Sequence, residues 1–168
     1  MSRAFTKEDS WEEPIIPPRP PLPDGMPNYV TPRGLTLLRE EQARLEGERA
    51  RLEGSEEDGA RKHRVVLARR LADLAGRIAT AEVIDPSRQA QDSVRFGARV
   101  TLRDVRGGLR SFQIVGVDES DPDNGLIAFT APIARSVLGC GVGDTATLHN
   151  ATGEEKLTIV DIDYPIHA

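Results

Sequence analysis

Leu38, Leu45 and Leu52 recur every seven residues, with Leu35 on the same side, while Glu40, Glu41, Arg44, Glu48 and Arg51 cover the remaining surface. That spacing is the seam of a coiled-coil helix. Thr31-Pro32 supplies its start, a capping threonine followed by a proline suited to the first turn. Gly54 interrupts the pattern, and Ser55-Glu56-Glu57-Asp58 places an acid three residues beyond a serine, as in a capping box. Along the second run Leu67, Leu71, Leu74, Ile78 and Ala81 alternate by four and three residues until Asp85-Pro86 ends it. Two seams joined by so short a turn are buried by folding back on each other, so an antiparallel helical hairpin is expected over residues 29–85. Arms of some 22 to 28 residues would reach roughly 33–42 Å. The alternative is an intermolecular coiled coil; the hairpin predicts a monomer.

On either side of this hairpin the texture changes. Residues 14–27 hold seven of the chain's 12 prolines, which fix φ and remove backbone donors. A proline-rich, disordered leader over 1–28 is therefore expected, either a semi-rigid spacer or a ligand for a proline-reading domain. From Val94 onward the period becomes two. Arg99–Arg103 and Arg110–Val115 read as strands around Gly107-Gly108, and Leu126–Phe129 as a short strand. Pro132–Leu138 reads as a short helix stopped by Gly139, and Thr145–Leu148 with Lys156–Asp163 as a second hairpin. The fold class is α+β: a helical hairpin followed by a small, mainly antiparallel β domain over residues 86–168 with one short helix.

The 168 residues leave room for one ordinary domain or two small ones. No apolar run approaches the ~18 residues of a membrane span, and the acidic start (Glu8, Asp9, Glu12, Glu13) is unlike a signal peptide. A single cysteine, Cys140, and no membrane segment point to a cytoplasmic location. The net charge of −5 and seven scattered aromatics argue against direct, sequence-specific DNA binding and against a stacking platform for single strands. Basic and acidic residues number 3 and 5 in residues 1–28, 11 and 11 in 29–85, and 8 and 11 in 86–168. The hairpin is densely charged yet neutral, and the partners expected for the chain are proteins or small ligands.

Chemistry is sparse. His63, His149 and His167 are scattered and no Cys-x-x-Cys occurs, so neither a metal site nor a cofactor is expected. Cys140 lies in Gly139-Cys140-Gly141-Val142-Gly143 and reads as a turn cysteine; no lysine follows those glycines to make a phosphate loop. The hairpin tip is different, because Glu53, Glu56, Glu57 and Asp58 gather carboxylates at the end of a projection. Such groups are Mg²⁺ ligands, and equally the acids that favour a helix N-terminus.

Tyr29-Val30-Thr31-Pro32-Arg33-Gly34-Leu35 and Ala81-Glu82-Val83-Ile84-Asp85 resemble the opening and exit of the hairpin in the Gre-factor family of bacterial transcription elongation factors (GreA/GreB). The strings Val94–Val100, Ile114–Glu119, Ala131–Gly139, Val142–Asp144 and Ile159–Tyr164 follow in family order. The resemblance covers about residues 29–165. It implies a C-terminal domain of FKBP-like fold docked on bacterial RNA polymerase, with the hairpin in the polymerase's secondary channel and no enzymatic activity of its own.

Family members of the cleavage-stimulating type carry a Gly-Asp-x-x-Glu-Asn tip that helps hold the polymerase's catalytic Mg²⁺. Here the tip reads Gly54-Ser55-Glu56-Glu57-Asp58-Gly59, acidic but differently ordered and without the Asn, so Glu56, Glu57 and Asp58 are the candidate Mg-directed acids. The hairpin also reads as shorter than the family's by roughly two turns per arm, on the order of 10 Å. A channel-occupying modulator of elongation is thus expected, with a cleavage factor of variant tip as the alternative. Shorter hairpins also occur in the related regulator of nucleoside diphosphate kinase, and a protein of that type is a further alternative. The family string assigns docking to Pro132, Ile133 and Arg135, while Phe129 and Leu138 read as core. Thr130-Ala131 replaces the acid and serine often found before that proline. FKBP-like folds include peptidyl-prolyl isomerases, but Phe96, Phe112, Phe129 and Tyr164, with no Trp, make a poor aromatic pocket.

Overall fold

The computed structural model describes residues 19–55 and 57–165. Its first long element, helix α1 (Pro32–Arg51), starts where the Thr31 hydroxyl accepts the backbone N–H of Gly34 at 2.9 Å, with Pro32 in the first turn. Helix α2 (Asp58–Ala79) returns alongside it. Leu38 and Leu45 of α1 meet Leu67, Leu71 and Leu74 of α2 in a buried seam, with Leu35, Leu52 and Ile78 at its margins. Each such leucine contributes about 1.5–3 kcal/mol of burial. The heptad reading is therefore satisfied within one chain.

Two details at the helix ends differ from expectation. Ser55 does not cap α2; the N-cap is Glu57, without a side-chain capping bond. At the end of α1, Arg64 reaches back, its guanidinium donating to the carbonyls of Leu52 and Ser55, both at 2.7 Å. A cation at the C-terminal end of α1 satisfies orphan carbonyls and suits the dipole there. The helical pattern also stops earlier than Asp85-Pro86. Thr80 folds its hydroxyl onto the Gly76 carbonyl, and the buried Asn28 amide donates to Arg77 O at 2.8 Å. The β-branched residues beyond then favour extended chain.

That extended chain is strand β2 (Ala81–Val83), which pairs in parallel with β1 (Asn28–Val30), Tyr29 facing Glu82 in the register. The α1–α2 hairpin is thus the crossover between two parallel strands. Beyond it lie β3 (Arg99–Asp104), β4 (Leu109–Val115), β5 (Leu126–Ala128), helix α3 (Pro132–Val137), β6 (Thr145–Asn150) and β7 (Gly153–Asp163). They form a five-stranded sheet of order β5-β4-β3-β7-β6. All its pairs are antiparallel except β4 with β5. The α+β class holds, with a mixed sheet.

The sheet core is Val100, Leu102, Ile114, Leu157 and Ile159, closed by Ala134 and Val137 of α3. Phe129 belongs to it, but Leu138 does not: it is 37% exposed, because α3 stops after Val137 and the backbone at Leu138 turns extended. Tyr29 joins the two parts, its ring centroid 5.8 Å from Phe96 and 5.6 Å from Phe129. These aromatics fill space against one another. The leader reading over 1–28 is corrected from Arg19 onward, where Leu22 and Met26 pack on the sheet core; residues 1–18 lie outside the described chain. No helix among the described residues is long and apolar enough to cross a membrane.

Candidate functional site

Three places carry chemistry. At the hairpin tip, Gly54 takes the left-handed φ of 85° that turns the chain between the arms. Glu53 and Glu57 are exposed on either side of it; Glu56 and the Asp58 side chain lie outside the described residues. One turn and a half below, His63 Nε2 stands 3.0 Å from Glu48 Oε1 across the two helices. Among the described residues no three His, Cys, Asp or Glu side chains gather as a metal site would require.

The second place is α3. Proline at its first position leaves Pro132 exposed, Arg135 is exposed one turn on, and Ile133 is half-buried against the sheet core. The three residues therefore do not share one outward face: Pro132 and Arg135 are available on the surface, whereas Ile133 anchors the helix. Pro132, Arg135 and Ser136 border a cleft whose other wall is Thr147, Leu148 and His149 of β6. Cys140, just past α3, points its thiol at the Ser136 carbonyl, 3.9 Å away. Burial, with Asp144 nearby, pushes that thiol above its ordinary 9.0, which suits a structural group.

The third place, at the hairpin base, was not apparent from sequence. A short turn after β4, Val117–Glu119, presents two adjacent carboxylates to the helices. Glu119 accepts from the Thr31 hydroxyl at 2.6 Å and from the Arg33 guanidinium at 2.9 Å. Its side chain is 2% exposed, so the pairing is a requirement of burial rather than a surface ornament. Asp118 lies between Arg77 Nε of α2 at 3.2 Å and Arg19 Nη1 at 2.9 Å. Arg19 extends its other nitrogen to Glu41 of α1 at 2.7 Å. Burial works against the charge on Arg19, but its hydrogen bonds to Glu41 and Asp118 outweigh this and raise its pKa.

Two glycines permit the approach: a Cβ at Gly34 would lie 2.8 Å from Glu119 Oε2, and one at Gly116 2.7 Å from the Tyr29 carbonyl oxygen. In the sequence the available signal was Thr31-x-Arg33-Gly34 facing a pair of acids; nothing local links positions 88 residues apart.

The molecule is thus a helical hairpin clamped by its base to a small mixed sheet, with a charged tip. Known proteins resemble this sequence. The family described as transcription elongation factor GreA/GreB, C-terminal, matches residues 89–164. Transcription elongation factor GreA of Alkalilimnicola ehrlichii is 36% identical over 152 residues, covering 80% of this chain and 96% of that protein. GreA of Helicobacter pylori is 38% identical over 113 residues, 67% of this chain and 69% of the relative. A crystal structure of GreA factor homolog 1 of Thermus thermophilus aligns at TM-score 0.39 and 19% identity, over 82% of this chain and 99% of that one. The chain belongs to the GreA/GreB family of transcription elongation factors, which are not themselves enzymes.

Proposed function

We propose that this protein binds bacterial RNA polymerase through its β domain and inserts the α1–α2 hairpin into the secondary channel, modulating elongation without strong stimulation of transcript cleavage. The observation that carries the reading is the hairpin itself, a projection of 20 and 22 helical residues on a domain that matches the GreA/GreB C-terminal family. At 1.5 Å per residue the arms run about 30 and 33 Å. In this reading the β domain is FKBP-like, the hairpin is shortened relative to the family, and the protein acts as a cytoplasmic monomer without sequence-specific DNA contacts.

Docking falls to Pro132 and Arg135 on the surface of α3, with Ile133 holding the helix to the sheet. The tip role falls to Glu56, Glu57 and Asp58. A carboxylate acts on a metal by direct or single-water contact, so a tip about 10 Å short, without the ordered acid-and-Asn motif, occupies the channel without reaching the metal.

The test is RNA cleavage and elongation by purified polymerase in backtracked complexes, with wild-type protein and a variant carrying Glu56→Ala, Glu57→Ala and Asp58→Ala. Inhibition of elongation that survives in the triple variant, with little cleavage by either protein, is expected. Strong wild-type cleavage that vanishes in the variant would instead make this a cleavage factor with a variant acidic tip.

A further inference from the structure

The hairpin is tied to the β domain near one end by a cluster of bonds that share almost one location. Thr31 and Arg33 hold Glu119 at the start of α1, Arg77 meets Asp118 at the end of α2, and β1 pairs with β2 beside them. Ties gathered at one place define a pivot. They fix where the hairpin begins, and leave its angle to whatever holds it farther along.

Arg19 supplies such a tie. Its two terminal nitrogens diverge, Nη1 to Asp118 on the β domain and Nη2 to Glu41 on α1. Glu41 lies nine residues beyond Pro32, the first residue of α1, about 14 Å along the helix axis. A planar guanidinium with its nitrogens in a fixed fork spans two carboxylates in one geometry, which an ammonium does not. The segment that carries Arg19 is itself fastened. The Pro20 carbonyl accepts from the Arg77 guanidinium, Leu22 and Met26 pack against the sheet core, and the Met26 amide donates to the Pro23 carbonyl at 3.1 Å. Pro20, Pro21 and Pro23 lower the chain entropy that ordering this segment would cost.

We propose that residues 19–26 are a strap whose Arg19 is a positioning residue, fixing the bearing of the hairpin on the β domain and hence the place of the tip. The leverage is large: a rotation of about 10° at the base of a ~33 Å arm carries the tip about 6 Å. This goes beyond the polymerase reading, because it concerns the free protein; under that reading it decides which point in the channel the tip would reach once the β domain is docked.

The experiment uses the full-length chain with Cys140→Ser, spin-labelled at Lys62→Cys on α2 and Thr152→Cys in the β6–β7 turn, both exposed positions. Inter-label distances by pulsed electron resonance should form one narrow distribution. Arg19→Ala and Glu41→Ala should each broaden it and move its mean by several Å, while helical circular dichroism stays at the wild-type value. Arg19→Lys, reaching one carboxylate at a time, should give an intermediate width. A distribution unchanged in either alanine variant overturns the proposal. So does a loss of helical signal in step with the broadening, which would make Arg19 a stability residue of the coil. No polymerase is present, so failure here leaves the secondary-channel reading standing, and failure of that reading leaves this result intact.

Discussion

Replacing Gly34 by alanine should destabilise the protein, although alanine is the better helix former, and the sign should reverse when Glu119 is shortened. Gly34 sits in the first turn of α1, where a Cβ would meet Glu119 Oε2 at 2.8 Å and its carboxyl carbon at 3.4 Å. That oxygen has little freedom to move, since it accepts from Thr31 at 2.6 Å while its twin accepts from Arg33 at 2.9 Å. Overpacking of this kind costs about 1–3 kcal/mol, against a helix-propensity gain of at most about 1 kcal/mol. Net destabilisation of about 1–2 kcal/mol is therefore expected for Gly34→Ala. Glu119→Ala alone should cost about 2–4 kcal/mol, because it strands the buried Thr31 hydroxyl and removes a charge-assisted bond. In that background the one near neighbour left to the added methyl is Thr31 Oγ1 at 3.4 Å, an ordinary contact, and Gly34→Ala should now stabilise by about 0.5–1 kcal/mol. Urea unfolding followed by circular dichroism, run on the four proteins of the cycle, measures the coupling. Equal effects of Gly34→Ala in both backgrounds would refute the idea that the Glu119 clamp excludes a side chain there.

Other expectations follow from the same geometry. Leu71→Asp places a carboxylate in the seam and should cost about 3–5 kcal/mol, melting the hairpin signal before that of the sheet; unchanged melting would remove Leu71 from the seam. Burial raises the Tyr164 hydroxyl above its usual 10.0 while it donates to Ser93 O at 2.6 Å. The neutral form is the one the fold favours, so its contribution is whole below pH ~10 and is lost as pH climbs through the raised value; Tyr164→Phe should flatten the alkaline limb of a stability-against-pH curve. The Cys140 thiol should react with an alkylating reagent more slowly than a free thiol at pH 8, accelerating only above its ordinary 9.0; fast labelling at pH 8 would contradict its burial.

How much of this was legible in the sequence divides along physical lines. Periodic, local signals were readable: the Thr31 cap, the seven-residue leucine spacing and the Gly107-Gly108 hairpin each depend on residues within a turn or two of one another. Short strands were not. β1 and β2 have three residues apiece, too few for a period, and their partner lies across the whole hairpin. The serine at 55 looked like a cap because capping boxes are read from spacing alone, whereas α2 begins at Asp58 with Glu57 as its N-cap, two residues beyond that serine. Arg19 read as part of a featureless proline tract because its partners, Glu41 and Asp118, are remote in the chain. Of the candidate site, the surface position of Pro132 and Arg135 follows from a proline-initiated helix. The inward set of Ile133 and the outward set of Leu138 depended on where a six-residue helix stops.

The parallel pairing of β1 with β2 means that the chain leaves for the hairpin and returns from it at adjacent points. Such an insertion is closed on itself, and its length is a free variable as far as the sheet domain is concerned. Adding or deleting seven residues in each arm would keep the seam in register and shift the tip by about 10 Å, leaving the β1–β2 anchorage as it is. A family built this way can change the length of its hairpin in heptad steps while its sheet domain stays the same, so that reach and sheet-domain surface evolve as separate characters.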